Sequence, residues 1–437
     1  MTNITTQSYR GARDFYPEDM RIQNYIYDTW KRVCRRYGFE QYDFPILEPF
    51  ELFAAKSGQE LVNEQLFSFE DRSGRKLAIR PELTPGTVRL LAQKYKQLPK
   101  PIKWFMIGNN WRYEKPQMGR GREFNQLEVN IFGIESVEAD FEIFSIIVSL
   151  MSEFGANQGT YEIRVSDRRL ITSLLSDVLN LNERDQASVR RIMDKKAKLS
   201  KDEFITALVS TGLNNSQASL VDTFMSSDIT SLSRAIPKGI LQSNDGYKDI
   251  LQLFELLKNA EIDKFVTFDP SIIRGFDYSD KLVYEVFDKN PGNKRSLFGG
   301  ERFDELIKIF GDYELPGTGF AMGDYTLLEF LKGWNLLPRF ENETGFFVTL
   351  WPGTSDKYRS YAIEVAQRIR NMGINCFSWL ENGTKLDKQL KYADKKGFKI
   401  ALVLGDDELN DRTVTIKNME NGKQETKPLE KFLEDIK

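Results

Sequence analysis

Between residues 102 and 133 the chain reads I-K-W-F-M-I-G-N-N-W-R-Y-E, then K-P-Q-M-G-R-G-R, then E-F-N-Q-L-E-V-N-I-F-G. Two long strand-like segments joined by a polar loop rich in glycine and arginine form a hairpin pattern. Whatever the chain folds into must therefore contain an antiparallel sheet. A hairpin loop this charged is also placed to touch a ligand.

The flanking segments fill in the rest. P-E-D-M-R-I-Q-N-Y-I-Y-D-T-W-K-R-V-C-R-R-Y-G has apolar residues at helical spacing and ends on Gly38, a natural helix stop. F-E-Q-Y-D-F-P-I-L-E reads as one strand whose proline confines it to an edge or an interface. F-S-F-E-D-R-S-G-R-K-L-A-I-R is a hairpin turning at Ser73-Gly74, and a helix opens after Thr84-Pro85. Helical patterns fill residues 139 to 260 apart from the short strand G-T-Y-E-I-R-V-S, and strands with a closing helix resume from 272 to 333.

The stretch L-P-R-F-E-N-E-T-G, residues 337–345, is polar and patternless and reads as a linker. Beyond it F-F-V-T-L-W, I-N-C-F-S-W and K-I-A-L-V-L-G alternate with helices, one of them lysine-rich, in the manner of a small sheet with parallel strands. The expected organisation is an α+β unit over 1–336, with a helix-rich insertion at about 165–265, and a separate α/β domain over 346–437.

Composition removes several functions. With 41% hydrophobic and 29% charged residues and a net charge of −3, this is the composition of a soluble globular protein. The N-terminus lacks the apolar core of a signal peptide and no run of about 18 apolar residues occurs, so the cytoplasm is the expected location. Cys34 and Cys376 lie far apart without metal spacing and read as reduced thiols. Histidine is absent from all 437 residues. That excludes a Ser-His-Asp triad, an imidazole base and histidine-ligated metals, and leaves arginine, lysine, carboxylates and backbone dipoles to carry any chemistry.

Four clusters combine such groups: R-P-E-L-T-P-G-T at 80–87, W-R-Y-E-K-P-Q-M-G-R-G-R-E-F-N-Q at 111–126, R-G-F-D-Y at 274–278, and F-G-G-E-R-F-D followed by G-T-G-F-A-M-G-D. In this order and spacing they resemble the histidyl-tRNA synthetases, class II aminoacyl-tRNA synthetases, along nearly the whole chain. G-A-R-D-F-Y-P-E-D-M resembles the family's N-terminal signature, and Pro45 falls where the motif 1 proline sits at a dimer interface. W-R-Y-E-K-P-Q-M-G-R-G-R-E-F looks like motif 2. K-L-D-K-Q-L-K-Y-A-D-K-K-G and V-L-G-D-D-E-L are similar to the anticodon-binding domain.

The resemblance implies a class II antiparallel sheet with a helical insertion, ATP-dependent formation of an aminoacyl-adenylate, and transfer to a tRNA, by a homodimer. Two anions must meet at the α-phosphate, a task suited to the permanently charged, planar guanidinium. By this match Arg112 and Arg274 are the catalytic arginines. Arg112, Glu114, Arg120, Arg122 and Thr326 surround ATP. Glu82, Leu83, Thr84, Arg112, Gln126, Asn130, Arg274, Tyr278 and Ser279 surround the amino acid. Mg2+ is expected on the ATP phosphates, without assigned protein ligands. The helix carrying Lys385, Lys388, Lys391, Lys395 and Lys396 reads either as a solvated face or as a contact for the RNA backbone.

Departures from the family pattern cluster in the amino-acid pocket. Ser279 replaces a ring, Asn130 stands where the family has an acid, Glu301 replaces the third glycine of G-G-G-R-Y-D, and Thr326 stands where motif 3 commonly has an arginine. A lost carboxylate removes a charge-assisted bond of about 1.5–3 kcal/mol. Two readings follow: a working histidine–tRNA ligase with a rearranged pocket, or a paralogue that no longer activates histidine and has become a ligase for another substrate or a non-enzymatic tRNA-binding or regulatory protein. A third, the regulatory relative of histidine biosynthesis, generally lacks the anticodon-binding domain present here. A chain without histidine would also remain translatable when charged histidyl-tRNA is scarce.

Overall fold

The computed structural model describes residues 4–54, 61–94, 96–117, 119–273, 281–293, 295–311, 314–340, 345–353 and 356–437. The chain divides into two compact units that meet at Leu337 and Pro338.

The strands of the first unit are β1 (Glu40–Gln41), β2 (Leu47–Pro49), β3 (Ser68–Glu70), β4 (Lys76–Ile79), β5 (Ile102–Trp111), β6 (Glu123–Phe132), β7 (Tyr161–Asp167), β8 (Val266–Phe268), β9 (Leu282–Asp288), β10 (Ser296–Arg302) and β11 (Gly317–Gly323). Eight of them make one sheet in the order β1-β5-β6-β11-β10-β9-β7-β8, antiparallel except for the outer pairs β1-β5 and β7-β8. The remaining three form a small sheet, β2-β4-β3. The segment around Pro45 is thus two short strands in two sheets rather than one edge strand. Proline cannot donate to a ladder, and pairing stops on either side of it.

Helix α1 (Pro17–Arg36) begins with proline in its first turn, and the Asp19 side chain accepts from the Tyr16 N–H. It ends before Gly38, whose φ of +76° suits glycine. Helices α2 (Phe50–Ala54) and α3 (Thr84–Lys94) precede and follow the small sheet's hairpin, and α4 (Val137–Glu153) follows β6. One face of the large sheet packs on α1 and α4. Trp30, Phe105, Val129, Phe144, Tyr284 and Met322 belong to this core, each of the large apolar side chains contributing about 1.5–3 kcal/mol on burial. Arg302 ties the same face to α4 by donating to Asp140 at 2.7 Å, with both side chains buried.

Six helices lie between β7 and β8: α5 (Arg168–Ser173), α6 (Glu183–Met193), α7 (Lys201–Ser210), α8 (Asn215–Met225), α9 (Lys238–Ser243) and α10 (Asp245–Asn259). The unit closes with α11 (Asp324–Gly333). Among the described residues, no helix is long and apolar enough to cross a membrane.

The second unit contains β12 (Phe346–Val348), α12 (Asp356–Asn371), β13 (Cys376–Ser378), α13 (Leu386–Lys395), β14 (Ile400–Val403), α14 (Asp406–Asp411), β15 (Thr413–Asn418), β16 (Gln424–Pro428) and α15 (Leu429–Asp435). Its sheet runs β13-β12-β14-β15-β16, with β12 parallel to both neighbours. Buried Gln389 locks α13 to the β12 end by accepting from Leu350 N–H and donating to Leu350 and Thr384 carbonyls. Lys388 and Lys391 on this helix stay exposed, beside Glu381 and Asp387 respectively.

Candidate active site

Strand β11 alternates small and large residues: Gly317, Gly319, Ala321 and Gly323 share one face, while Phe320 and Met322 enter the core on the other. Register carries this face across the sheet. Gly319 lies between Asn130 of β6 and Glu301 of β10, Ala321 between Glu128 and Gly299, and Gly323 opposite Gln126. Directly paired residues point the same way. The result is a trough whose floor is glycine and alanine and whose walls are polar. At one end the Phe132 and Phe303 rings meet edge to face, and a Cβ on Gly317 would come within 2.7 Å of Phe303 and 3.0 Å of Phe132.

Glu128, which the motif reading passed over, organises one wall. Its carboxylate accepts from Thr84 Oγ1 at 2.6 Å, Thr87 Oγ1 at 2.8 Å and Tyr42 OH at 2.9 Å. Burial pushes its pKa up, while these hydroxyls and Asn130 pull it down. Three O–H donors converging on one carboxyl are the arrangement of an ionised acceptor. Because the Thr84 hydroxyl proton is given to Glu128, its lone pairs are what remain for a ligand. The signal was present: Q-L-E-V-N puts Gln126, Glu128 and Asn130 on one face of a strand.

The other predicted amino-acid residues fall around the same wall. Glu82 is buried beside the start of α3. Leu83 is buried too, but its side chain packs with Phe44 and Met106, so only its backbone is left for the site. Gln126 Oε1 accepts from Asn110 Nδ2 at 3.0 Å, which leaves the Gln126 NH2 as its remaining polar group. Arg80, from the same motif as Glu82, is used for structure: it donates to the Asn109 and Phe44 carbonyls, and burial lowers its pKa.

Arg112 stands at the other end of the trough, its guanidinium 5.3 Å from the centre of the Phe124 ring. Nε donates to the Pro81 carbonyl at 2.8 Å, which fixes the plane of the fork, while Nη1 lies 3.8 Å from Glu114, beyond hydrogen-bond distance. Glu114 also accepts from Arg120 at 3.2 Å. Arg122 donates to the Glu114 carbonyl and to Tyr9 OH, and lies over the Tyr113 ring. The N-terminal signature buttresses this loop: Gly11 O accepts from Arg122 N at 2.7 Å, and a Cβ on Gly11 would collide with Arg122 and Pro116.

At the start of α11, Asp324 accepts from Arg13, Gln23 and Asn125, and the Arg13 guanidinium sits 3.6 Å over Tyr325. Thr326 donates its hydroxyl to the Leu297 carbonyl of β10 at 2.7 Å, so the neighbouring strand rather than a phosphate takes that proton. Arg274, Tyr278 and Ser279 lie outside the described residues. Lys281 is described, and pairs with Asp304 at 2.6 Å.

The departures look different in this setting. Asn130 lies beside the Glu128 carboxylate, so the wall has kept an acid one strand period away. Glu301 is accommodated because Gly319, its neighbour on the same face, has no side chain.

An antiparallel sheet with an arginine-bearing hairpin at one end of a glycine-floored trough, closed by a C-terminal helix, is the catalytic unit of a class II aminoacyl-tRNA synthetase. Comparison with known proteins makes the assignment narrower. Residues 11–326 match the family model for histidyl-tRNA synthetase, and residues 347–437 match the anticodon binding domain. The chain belongs to the histidyl-tRNA synthetase family. It is 41% identical to a histidine–tRNA ligase of Leptospira biflexa over 436 residues, 99% of this chain and 98% of that one. It is 36% identical to that of Haloarcula marismortui over 431 residues, 97% and 96% of the two chains. The crystal structure of histidyl-tRNA synthetase from Nostoc sp. PCC 7120 superposes with a TM-score of 0.81 at 23% identity, covering 99% of each chain, which supports the fold.

Proposed function

We propose that this chain activates histidine with ATP and transfers it from the adenylate to a histidine-accepting tRNA. The observation that carries the reading is the Thr84–Glu128 bond at one wall with the Arg112 fork at one end of the same trough. Thr84 Oγ1 and the Glu82 carboxylate accept from the substrate ammonium. The Nη groups of Arg112 bridge the substrate carboxylate and the α-phosphate, offsetting the negative charge that builds up as the carboxylate oxygen attacks phosphorus and pyrophosphate leaves. Phe124 offers a ring beside that fork for a stacked base, and Glu114 steers the loop that holds Arg120. Arg274 is the second arginine at the phosphate.

Mg2+ accompanies ATP as its counter-ion. Among the described residues no group of three or more acidic or thiol side chains gathers to hold a metal ion by itself, and no step here runs through one. The second unit binds the anticodon end of the tRNA. A homodimer forms through the small sheet, where Ile46, Leu47 and Phe69 are 41–45% exposed next to Pro45. The cytoplasm is its site of action.

The reading of a paralogue that has stopped activating histidine now rests mainly on Ser279, since acids remain on both walls. ATP–pyrophosphate exchange across all twenty amino acids decides between them. Exchange with histidine, abolished by Arg112→Ala, is the expected result; exchange with another amino acid, or with none, overturns the assignment.

A further inference from the structure

The loop between β5 and β6 reaches from Arg112 to the start of α11 and meets there a cation from outside the sequence motifs. The loop tip is a tight turn in which Gln117 and Arg120 exchange both backbone hydrogen bonds, so their side chains leave one face. A Cβ on Gly119 in this tip would lie 3.9 Å from the Thr326 methyl. At Gln117 the tip is met by Arg295, whose Nη2 donates to Gln117 Oε1 at 3.2 Å. Arg295 stands just before β10, in a turn braced by Asp288 at the end of β9. Asp288 accepts from the Asn290 N–H at 2.8 Å, Trp334 Nε1 at 2.9 Å and Asn293 Nδ2 at 3.2 Å, and Asn293 Oδ1 accepts from the Arg295 N–H at 3.3 Å.

Other charges near the loop are already engaged. Arg13 is held by Asp324 at 2.6 Å, Arg120 by Glu114 at 3.2 Å, and Arg122 by the Glu114 carbonyl and Tyr9. Thr326 brings no charge. Arg295 differs: it is exposed, its partner Gln117 is neutral, and among the described residues no carboxylate lies within ion-pair distance of it.

We infer that Arg295 is an ATP-binding residue that holds the outer phosphates, taking a phosphate oxygen in place of the Gln117 amide oxygen. The inference rests on the reading that ATP binds with its α-phosphate at Arg112. From that fork a row of polar groups runs along the loop: Arg112 Nη1 lies 3.8 Å from Glu114, Glu114 accepts from Arg120, Arg120 pairs with Gln117, and Gln117 accepts from Arg295. A nucleotide anchored at Arg112 lays its β- and γ-phosphates along this row. One glutamate offsets one of the row's three arginines, so Arg295 supplies a large part of the positive charge left for the tail. Exchanging a neutral amide oxygen for an ionised phosphate oxygen makes the bond charge-assisted, and the planar fork can engage two oxygens at once. AMP lacks these phosphates and does not reach Arg295.

The test uses the full-length protein without histidine and measures binding of MgATP and of AMP by calorimetry. Arg295→Ala should weaken MgATP about tenfold or more, the loss of one charge-assisted bond, and leave AMP within about twofold. Arg295→Lys keeps the charge and should recover at least half of that loss on a logarithmic scale. Both variants should melt with wild type, because the side chain is exposed and bonds only an exposed glutamine. Wild type that binds no MgATP overturns the reading and the inference together. Equal MgATP binding by wild type and Arg295→Ala overturns the inference alone, as does an equal loss for AMP, which would mean a disturbed loop. In pyrophosphate exchange the ATP KM of Arg295→Ala should rise at constant histidine KM. A defect seen only in the tRNA KM of aminoacylation would give Arg295 to the RNA and overturn its assignment to ATP.

Discussion

Thr84 and Thr87 sit one helical turn apart at the start of α3, and both donate to Glu128, at 2.6 Å and 2.8 Å. They differ in what lies beyond the hydroxyl. Thr87 is fully buried and also approaches the Leu83 carbonyl, whereas Thr84 is partly exposed at the trough wall. Replacing either with valine keeps the shape and removes one of three O–H donors from a buried carboxylate. Each change should therefore cost stability by about 1.5–3 kcal/mol. With an unfolding entropy of about 2.1 cal/mol/K per residue over the first unit, that lowers Tm by roughly 2–4 °C. Only Thr84→Val also removes an acceptor for the substrate ammonium. A further 1.5–3 kcal/mol in binding corresponds to about a 10- to 150-fold rise in the histidine KM, with the ATP KM unchanged. Pyrophosphate exchange and thermal melts on both variants check this. Equal histidine KM values in Thr84→Val and wild type would refute the orientation argument. So would equal increases in both variants, because the effect would then come from disturbing Glu128 rather than from losing an acceptor.

Other consequences are more direct. Arg302→Leu leaves Asp140 buried without its partner and should destabilise the first unit by about 3–5 kcal/mol in urea unfolding. Gly319→Ala places a methyl carbon 2.9 Å from Asn130 Cγ and overlapping the Val129 carbonyl oxygen, which the strand cannot move away. It should cost about 1–3 kcal/mol and abolish exchange while ATP still binds. Burial raises the Glu128 carboxyl above the ordinary glutamate value, so only at pH between those two values does the folded state hold a proton that the unfolded chain has lost. Stability should then fall as pH rises from the ordinary value through the raised one, and Glu128→Gln should flatten that slope in pH-dependent melts. Reversing Lys388 and Lys391 to glutamate should weaken tRNA binding and reduce the log–log salt slope by about two, if both contact phosphates. An unchanged slope assigns α13 to solvent.

Patterns of period two and 3.6 gave away most of the elements. The long strands β5 and β6 stand out as two extended segments around a polar loop, α1 has a proline start and a glycine stop, and the Ser73-Gly74 hairpin has its turn glycine at a φ of +77°. The segment around Pro45 was harder because a proline can end one strand or separate two, and only pairing partners decide. Contacts between distant segments left no local trace. The Arg13–Asp324 pair joins residues 311 apart, and neither residue carries a pattern that names its partner.

Substitutions in the pocket show the same limit more sharply. Taken position by position, Asn130 looks like a lost acid and Glu301 like an intruding one, two faults that together suggest decay. The register of β6, β11 and β10 makes them neighbours in one row with Gly319 between them, and the single glycine that admits Glu301 also admits the lean of Asn130. Decay predicts independent losses: unpaired buried charge, filled space and a broken Arg112 anchor. Instead Arg112 keeps its Pro81 bond and Glu128 keeps its three donors. A double-mutant cycle between positions 130 and 301 measures their coupling energy in the amino-acid pocket. Additive effects of Glu301→Gln and Asn130→Asp on the histidine KM would mean that the two sites act independently, and the argument from their shared row would fail.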